Sequence, residues 1–482
     1  MASEVQNKES VSVKKGTDPQ FFILVIVFFF WGFVAAANDI LIPVFKKFFT
    51  LELWQAQLVS LVFYIAYTVG SIIYLALSKA MNTDLLNKIG YKNGIAIGLL
   101  ISGIGALIFY PAADTNSYTL FLTGLFVVGL GFSLQQTAAQ PFAIALGDPA
   151  SGAKRVNFAG GINNFGTTLG PILVSFAIFG SVAAGAAEKA TISSVKIPYL
   201  ILAASFFFFA VFFRFVKMPS VTQNEPVEKG FGALKYPQLV LGMLAIFLYV
   251  GVEVTIGANL SDFLKQKEGL QENELAPYIS LFWASLMVGR WTAGVSVFDP
   301  SPSARKFLMI IVPYIAFGVY LLINFARGTD LAPLYIYGVC IISIIIAFFV
   351  SQDKPAKMLL TFASFGIIAM LIGIFATGKV ALYALISGGL FCSVLWPCIF
   401  SLAVAGLGKY TSQGSAFLIM MIMGGGFVSF FQSWISKFIG IQESYWVAVV
   451  CFAYLAWFAI RVRNVLKSQG IDYEEVASEG GH

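Results

Sequence analysis

Two carboxylates, Asp39 and Glu253, stand inside stretches that otherwise read as lipid-spanning helix. Asp39 lies in Phe21–Phe45 and Glu253 in Leu239–Leu264. A charged group near the bilayer centre costs roughly 2.5–3.5 kcal/mol on insertion scales, so an acid at such a place is expected to work. The chemistry open to it is ion coupling, or hydrogen bonding to a polar solute. Burial raises a carboxyl pKa, which suits a group that must gain and lose a proton near neutral pH. The alternatives are structural. Asn38-Asp39 is also placed to cap a helix bend before Pro43, and Glu253 to be held neutral against a neighbouring helix.

Amides are the second feature. Gln136 and Gln140 are spaced i, i+4 and share a helix face beside Pro141. An amide both donates and accepts, as the hydroxyls of a polar solute require; the alternative is an interhelical bond worth about 1–2 kcal/mol at most. Asn163 and Asn164 lie in a glycine-rich span, where one of the two is expected to face a central cavity. Trp396 and Trp283 are mid-span aromatics. An indole offers a flat apolar face and one N–H donor, which suits a ring-shaped polar solute and suits packing equally. Gly424-Gly425-Gly426 reads as a site of close helix approach.

The elements that must carry these residues follow from composition. The 482-residue chain is 58% hydrophobic and 11% charged, with mean hydropathy +0.83. A soluble domain has about 25% charged residues, so this is an all-α, polytopic membrane protein. Fourteen apolar segments are long enough to span: 21–45, 55–78, 94–112, 117–146, 157–181, 197–217, 239–264, 276–298, 307–325, 333–351, 357–376, 380–405, 413–439 and 444–463. The even number puts both termini on one side. Lys14, Lys15, Lys79, Lys88, Lys92, Lys154, Arg155, Arg214, Lys217, Arg305, Lys306, Arg461 and Arg463 fall on that side, against a shorter set including Lys46, Lys47, Lys265 and Lys379 on the other. The imbalance makes both termini cytoplasmic. The net charge of +6 is mostly this loop excess and calls for no nucleic acid.

The polar stretch Met218–Lys235 follows the sixth span. It divides the chain into a tail (1–20), a six-helix bundle (21–217), a linker (218–238), a second bundle (239–463) and a second tail (464–482). Six spans, a linker and a second set of spans is the layout of a carrier built from two pseudo-repeats. Trp31-Gly32 before Asp39 and Val250-Gly251 before Glu253 give a weak internal echo, with the acids offset by about 7–8 Å along a helix.

Several motifs together carry a family resemblance. They are Trp31-Gly32 followed by Asn38-Asp39-Ile40-Leu41-Ile42-Pro43, Thr137-Ala138-Ala139-Gln140-Pro141-Phe142, the run Asn157 to Gly166, Tyr249-Val250-Gly251-Val252-Glu253, Gly289-Arg290, and Trp396-Pro397-Cys398-Ile399-Phe400-Ser401-Leu402. With these, the chain resembles the fucose–proton symporter family of the major facilitator superfamily, and within it the bacterial glucose/galactose transporters. The resemblance implies a major facilitator fold of two six-helix bundles. It further implies import of a neutral monosaccharide of the glucose/galactose type by cation-coupled symport and alternating access, in a bacterial inner membrane. Segments 307–325 and 333–351 then read as an inserted helix pair, expected at the edge of the bundle and away from the sugar path.

There are departures from the family pattern. The fucose symporter has a glutamate where Gln136 stands, and glutamines at the positions of Gly160 and Glu253. The acids are redistributed, leaving the coupling ion open between a proton and sodium. Asp39 and Glu253 are the expected coupling groups; Asn38, Asp39, Gln136, Gln140, Asn163, Glu253 and Trp396 are the expected sugar contacts. Asp84, Lys88 and Lys92 resemble the superfamily's loop motif between spans two and three, whose charge contacts would hold one conformation shut; Arg290 is expected near the cytoplasmic end as a gating contact.

His482 is the single histidine, and no nucleophile–base–orienter set can be built around it. Cys340, Cys392, Cys398 and Cys451 fall in apolar runs without CxxC or metal spacing. No enzyme activity, metal or organic cofactor is expected, and a monomer in the bilayer with a sugar substrate is. A membrane sugar sensor without turnover and an uncoupled sugar facilitator are the competing readings.

Overall fold

A computed structural model describes residues 17–50, 53–148, 151–179, 195–219, 230–271 and 274–471. It is helical throughout. The first half contains α1 (Phe21–Phe48), α2 (Leu53–Ala80), the short α3 (Leu85–Ile89), α4 (Tyr91–Asp114), α5 (Tyr118–Ala145), α6 (Gly152–Phe179) and α7 (Lys196–Phe215). The second contains α8 (Pro237–Lys267), α9 (Ala276–Gly294), α10 (Pro302–Ala326), α11 (Tyr337–Ser351), α12 (Pro355–Phe375), α13 (Gly378–Cys392), α14 (Leu395–Val404), α15 (Thr411–Met420), α16 (Gly424–Ile439) and α17 (Trp446–Ser468).

Among the described residues, eleven helical stretches are long and apolar enough to cross a membrane. The helices α1, α6 and α11 complete fourteen passes. Two passes are broken where the sequence reads as continuous: α13 and α14 part at Ser393-Val394, and a single 3-10 turn at Met421–Met423 separates α15 from α16. Helix starts follow local rules. Ser117 and Ser301 cap α5 and α10 through their hydroxyls, and Pro237, Pro302 and Pro355 open α8, α10 and α12, where a missing N–H costs nothing.

The two halves share one packing pattern. In the first, α1 packs on α6, α2 on α5, and α4 on both α5 and α7. In the second, α8 packs on α16, α9 on α13, and α12 on both α13 and α17. Among the described residues, the helices α10 and α11 have no counterpart in the first half. They pack chiefly on α9, α12, α13 and each other, and expose Leu322, Phe325, Val339 and Ile342. The inserted pair therefore sits at the rim of the second bundle.

Close approach depends on small residues. A Cβ at Gly131 would stand 2.2 Å from Ser102 Oγ and 2.4 Å from Gly98 O, so α4 and α5 touch backbone to backbone. A Cβ at Gly424 would stand 2.0 Å from Phe247 O, giving that glycine the packing role expected of it.

The bundles meet on the side that carries the linker. Phe298 at the end of the α9 pass stacks on Phe22 and lies edge-on to Phe158. Trp291 donates to Gly161 O at 3.0 Å and Ser415 to Thr137 O at 2.9 Å. Asn87 donates to Lys409 O at 3.0 Å, and Ser412 lies 3.2 Å from the Tyr91 hydroxyl. Lys154 at the start of α6 faces Asp353, which Arg305 also contacts. These contacts close the linker side of the molecule.

Candidate functional site

The site is assembled from Tyr249 and Glu253 on α8, Arg290 on α9 and Asn164 on α6. Tyr249 and Glu253 are spaced i, i+4, so they project from one face of α8, and the Tyr249 hydroxyl donates to the Glu253 carboxylate. Arg290 Nη2 lies 3.8 Å from Glu253 Oε2 and 3.2 Å from the Tyr249 hydroxyl. Its Nη1 donates to Asn164 Oδ1 at 2.7 Å, and its Nε to Ser393 O at 3.0 Å. One guanidinium thus joins two helices of its own bundle, and the break between α13 and α14, to a helix of the other.

The glycine pair Gly160-Gly161 makes this crossing possible. A Cβ at Gly160 would lie 3.2 Å from Arg290 Cδ, so a large side chain there would crowd the stem of Arg290. The absence of a side chain at 160, the acid at 253 and the arginine at 290 form one arrangement. The side chains of Glu253 and Arg290 are 17% and 12% exposed. An ionised pair this far from water is held by mutual attraction and by its further hydrogen bonds.

Trp396 packs beside Tyr249, with ring centroids 6.1 Å apart, and stacks on Phe400. Its Nε1 is buried without a hydrogen-bond partner. On α5, Gln136 donates to the Tyr67 hydroxyl at 2.7 Å, while Gln140 Oε1 is buried and unpartnered. Asn157 Oδ1 on α6 is in the same condition. A buried donor or acceptor left unpaired costs about 1–3 kcal/mol, which a polar solute would recover. Gln135, by contrast, is paired at both its oxygen and its nitrogen. It accepts from Trp31 Nε1 and donates to Ser102 Oγ, and so ties α1, α4 and α5 together.

The expected site residues are distributed as follows. Glu253, Trp396 and Arg290 come together around Tyr249. Asn163 turns away from Arg290 and donates to Phe28 O on α1 at 2.9 Å, whereas Asn164 faces the arginine. Arg290 takes part in this central group as well as in the contact between bundles. Asn38 and Asp39 belong to α1, but their side chains lie outside the described residues.

In the loop after α2, Asp84 caps α3 through the amides of Leu86 and Asn87 and accepts from the Tyr74 hydroxyl at 2.7 Å. Burial pushes its carboxyl above the usual range, against the opposing pull of those hydrogen bonds. Lys88 is exposed, and Lys92 donates to Arg214 O and Val216 O of its own bundle. At this place the bonds across the bundles come from Asn87 and Tyr91, neutral groups that the charge pattern does not single out.

Tyr249, Asn164, Tyr67 and Asp353 carry no separate signal in hydropathy. The i, i+4 spacing of Tyr249 and Glu253 is the one cue that pairs either acid with a neighbour. Among the described residues no cluster of His, Cys, Asp and Glu is arranged to hold a metal ion, and the four cysteines are unbonded.

The sequence profile of the major facilitator superfamily matches residues 21–357. A glucose/galactose transporter of Brucella abortus biovar 1 (strain 9-941) is 33% identical over 442 residues, covering 91% of this chain and 92% of that protein. The L-fucose-proton symporter of Escherichia coli (strain K12) is 28% identical over 463 residues, covering 91% and 92%. Among solved structures, the transporter FucP in its outward conformation superposes with TM-score 0.71 at 27% identity, over 92% of this chain and 98% of that one. With profile, relatives and fold in agreement, this chain belongs to the major facilitator superfamily.

Proposed function

We propose that the protein is a secondary active transporter that imports a neutral hexose of the glucose/galactose class by proton symport. The observation that carries this reading is the Glu253–Arg290–Asn164 chain. It places a protonatable group in contact with a cation that bridges the two bundles. Ionised, Glu253 compensates the Arg290 charge; protonated, it does not. Proton occupancy therefore biases how the bundles meet, which is what coupling by alternating access requires.

The sugar class is supported by the relatives' names, and by neutral donors and acceptors left without partners at Trp396, Gln140 and Asn157. Gln136, Asn163, Asn38 and Asp39 complete the proposed sugar contacts. Asp39 is the second proposed coupling acid, and Asp84, Lys88 and Lys92 belong to the proposed gate. Proton coupling is favoured over sodium because the symporter relatives are named for protons. The closed linker side accords with the outward conformation in which the FucP transporter was solved, if the linker is cytoplasmic. That orientation, a monomeric state, the bacterial inner membrane and the division at 218–238 form part of the same reading.

Reconstitution tests it. Labelled glucose or galactose should accumulate in proteoliposomes under an inward proton gradient, and sodium should not replace that gradient. Equilibration without accumulation would mean an uncoupled facilitator; binding without exchange would mean a sensor. Cysteines placed in 218–235 should resist impermeant reagents applied to intact cells, and labelling there would reverse the orientation.

A further inference from the structure

Far from Glu253, at the linker face, a cavity of about 410 Å³ opens between the first turns of α12 and the last turns of α17. Its polar lining is Lys354, Lys357, Arg463 and Asn464, and its apolar wall includes Leu360 and Ile460. Among the described residues no carboxylate lines it. The nearest acid in sequence, Asp353, is directed to Arg305 and Lys154. Lys357 donates to Gln352 Oε1 at 3.2 Å, which leaves other ammonium donors for the cavity.

The backbone adds to the positive field. Lys354 is the N-cap of α12 and gives no side-chain capping bond, and as it also lines the cavity, the positive end of a 21-residue helix lies beside it. Below the basic mouth the surface turns apolar. Trp457 and Ile460 stand one turn apart on the exposed side of α17, and Ile368 is exposed on α12. A cationic cup above an apolar strip, at the level where spans end, matches an amphiphile with an anionic head and hydrocarbon tails. A neutral sugar has no use for such a cup.

We propose that this cavity binds the phosphodiester headgroup of an anionic phospholipid, with its acyl chains along Ile460 and Trp457. Basic pockets between helices at the cytoplasmic interface recognise such headgroups by charge, each cation adding to the attraction. The inference stands on the cavity and its charges and is independent of the transport reading.

The test uses the full chain in neutral detergent. Phosphatidylglycerol, phosphatidylcholine and inorganic phosphate are titrated separately, with lipid adducts counted by native mass spectrometry and the thermal midpoint followed in parallel. Phosphatidylglycerol should bind in preference to phosphatidylcholine and raise the midpoint. Lys354→Gln with Lys357→Gln and Arg463→Gln should weaken that binding by roughly tenfold or more. Leu360→Trp, which fills the cavity without changing charge, should weaken it as well. Arg461→Gln, outside the cavity on α17, should leave it intact. Equal binding of the two lipids, or unchanged binding in both cavity variants, would overturn the site. Phosphate competing as well as the lipid would overturn the lipid assignment in favour of a free-anion site.

Discussion

Replacing Glu253 by glutamine keeps the size of the side chain and removes its charge. At the 3.8 Å separation from Arg290, an effective dielectric of about 20 gives an attraction of about 4 kcal/mol. Removing one partner of a buried pair costs about 3–5 kcal/mol, and the residual exposure here argues for the lower end. Arg290 also holds Asn164 across the interface, so the loss falls on the arrangement in which the linker side is closed. About 3 kcal/mol corresponds to roughly a hundredfold shift in population.

Glu253→Gln should therefore open the linker side and abolish proton-driven accumulation while sugar exchange persists. Opening is read by alkylation of a cysteine placed at Ser412, which is buried in the closed interface. Uptake and counterflow in proteoliposomes read the transport. Adding Arg290→Gln removes the stranded charge, so the double variant should be less open than Glu253→Gln alone; the two effects are coupled because the side chains touch. Wild-type accumulation in Glu253→Gln, or strict additivity of the two substitutions, would refute the assignment of Glu253 to coupling.

Asp39→Asn preserves shape and most hydrogen bonding but cannot cycle a charge, so it should lose accumulation and retain exchange; concentrative uptake surviving in the Asp39→Asn, Glu253→Gln pair would place the coupling elsewhere. Trp396→Phe keeps the packing on Tyr249 and Phe400 and removes the unpartnered Nε1–H. A lost hydrogen bond of about 0.5–1.5 kcal/mol should raise the apparent sugar KM by roughly two- to tenfold at unchanged thermal stability, and an unchanged KM argues against the contact. Burial raises the Asp84 carboxyl in the folded protein, so its contribution to stability is fullest below the ordinary carboxylate pKa of about 4 and is lost as pH rises through the raised value. The thermal midpoint of the wild type minus that of Asp84→Asn should therefore fall between acid and neutral pH, and a difference independent of pH would contradict the burial argument.

The number of spans was legible in the chain because a lipid-exposed backbone must satisfy its own hydrogen bonds, which makes a long apolar run a helix. The six-plus-six layout and the inserted pair were legible for a related reason. The polar linker and the order of motifs are linear features, and α10 and α11 interrupt that order as segments. Which side chains meet was not linear. Successive residues on a helix point about 100° apart, so hydropathy gives Asn163 and Asn164 equal standing, and packing alone turned one to Phe28 and the other to Arg290. The break at Ser393-Val394 has a local cause, since Pro397 four residues on has no N–H for Ser393 O, whereas the turn at Met421–Met423 lies inside an apolar run without such a signal. Glu253 was conspicuous by type, whereas its partners came from α6, α8 and α9, brought together by a glycine pair that leaves room for an arginine. Composition determined that a charge was kept in the membrane; tertiary packing decided which cation it answers, because α9 sets Arg290 against Glu253 on α8 and the same guanidinium reaches Asn164 of the other bundle, a residue that no local pattern links to it.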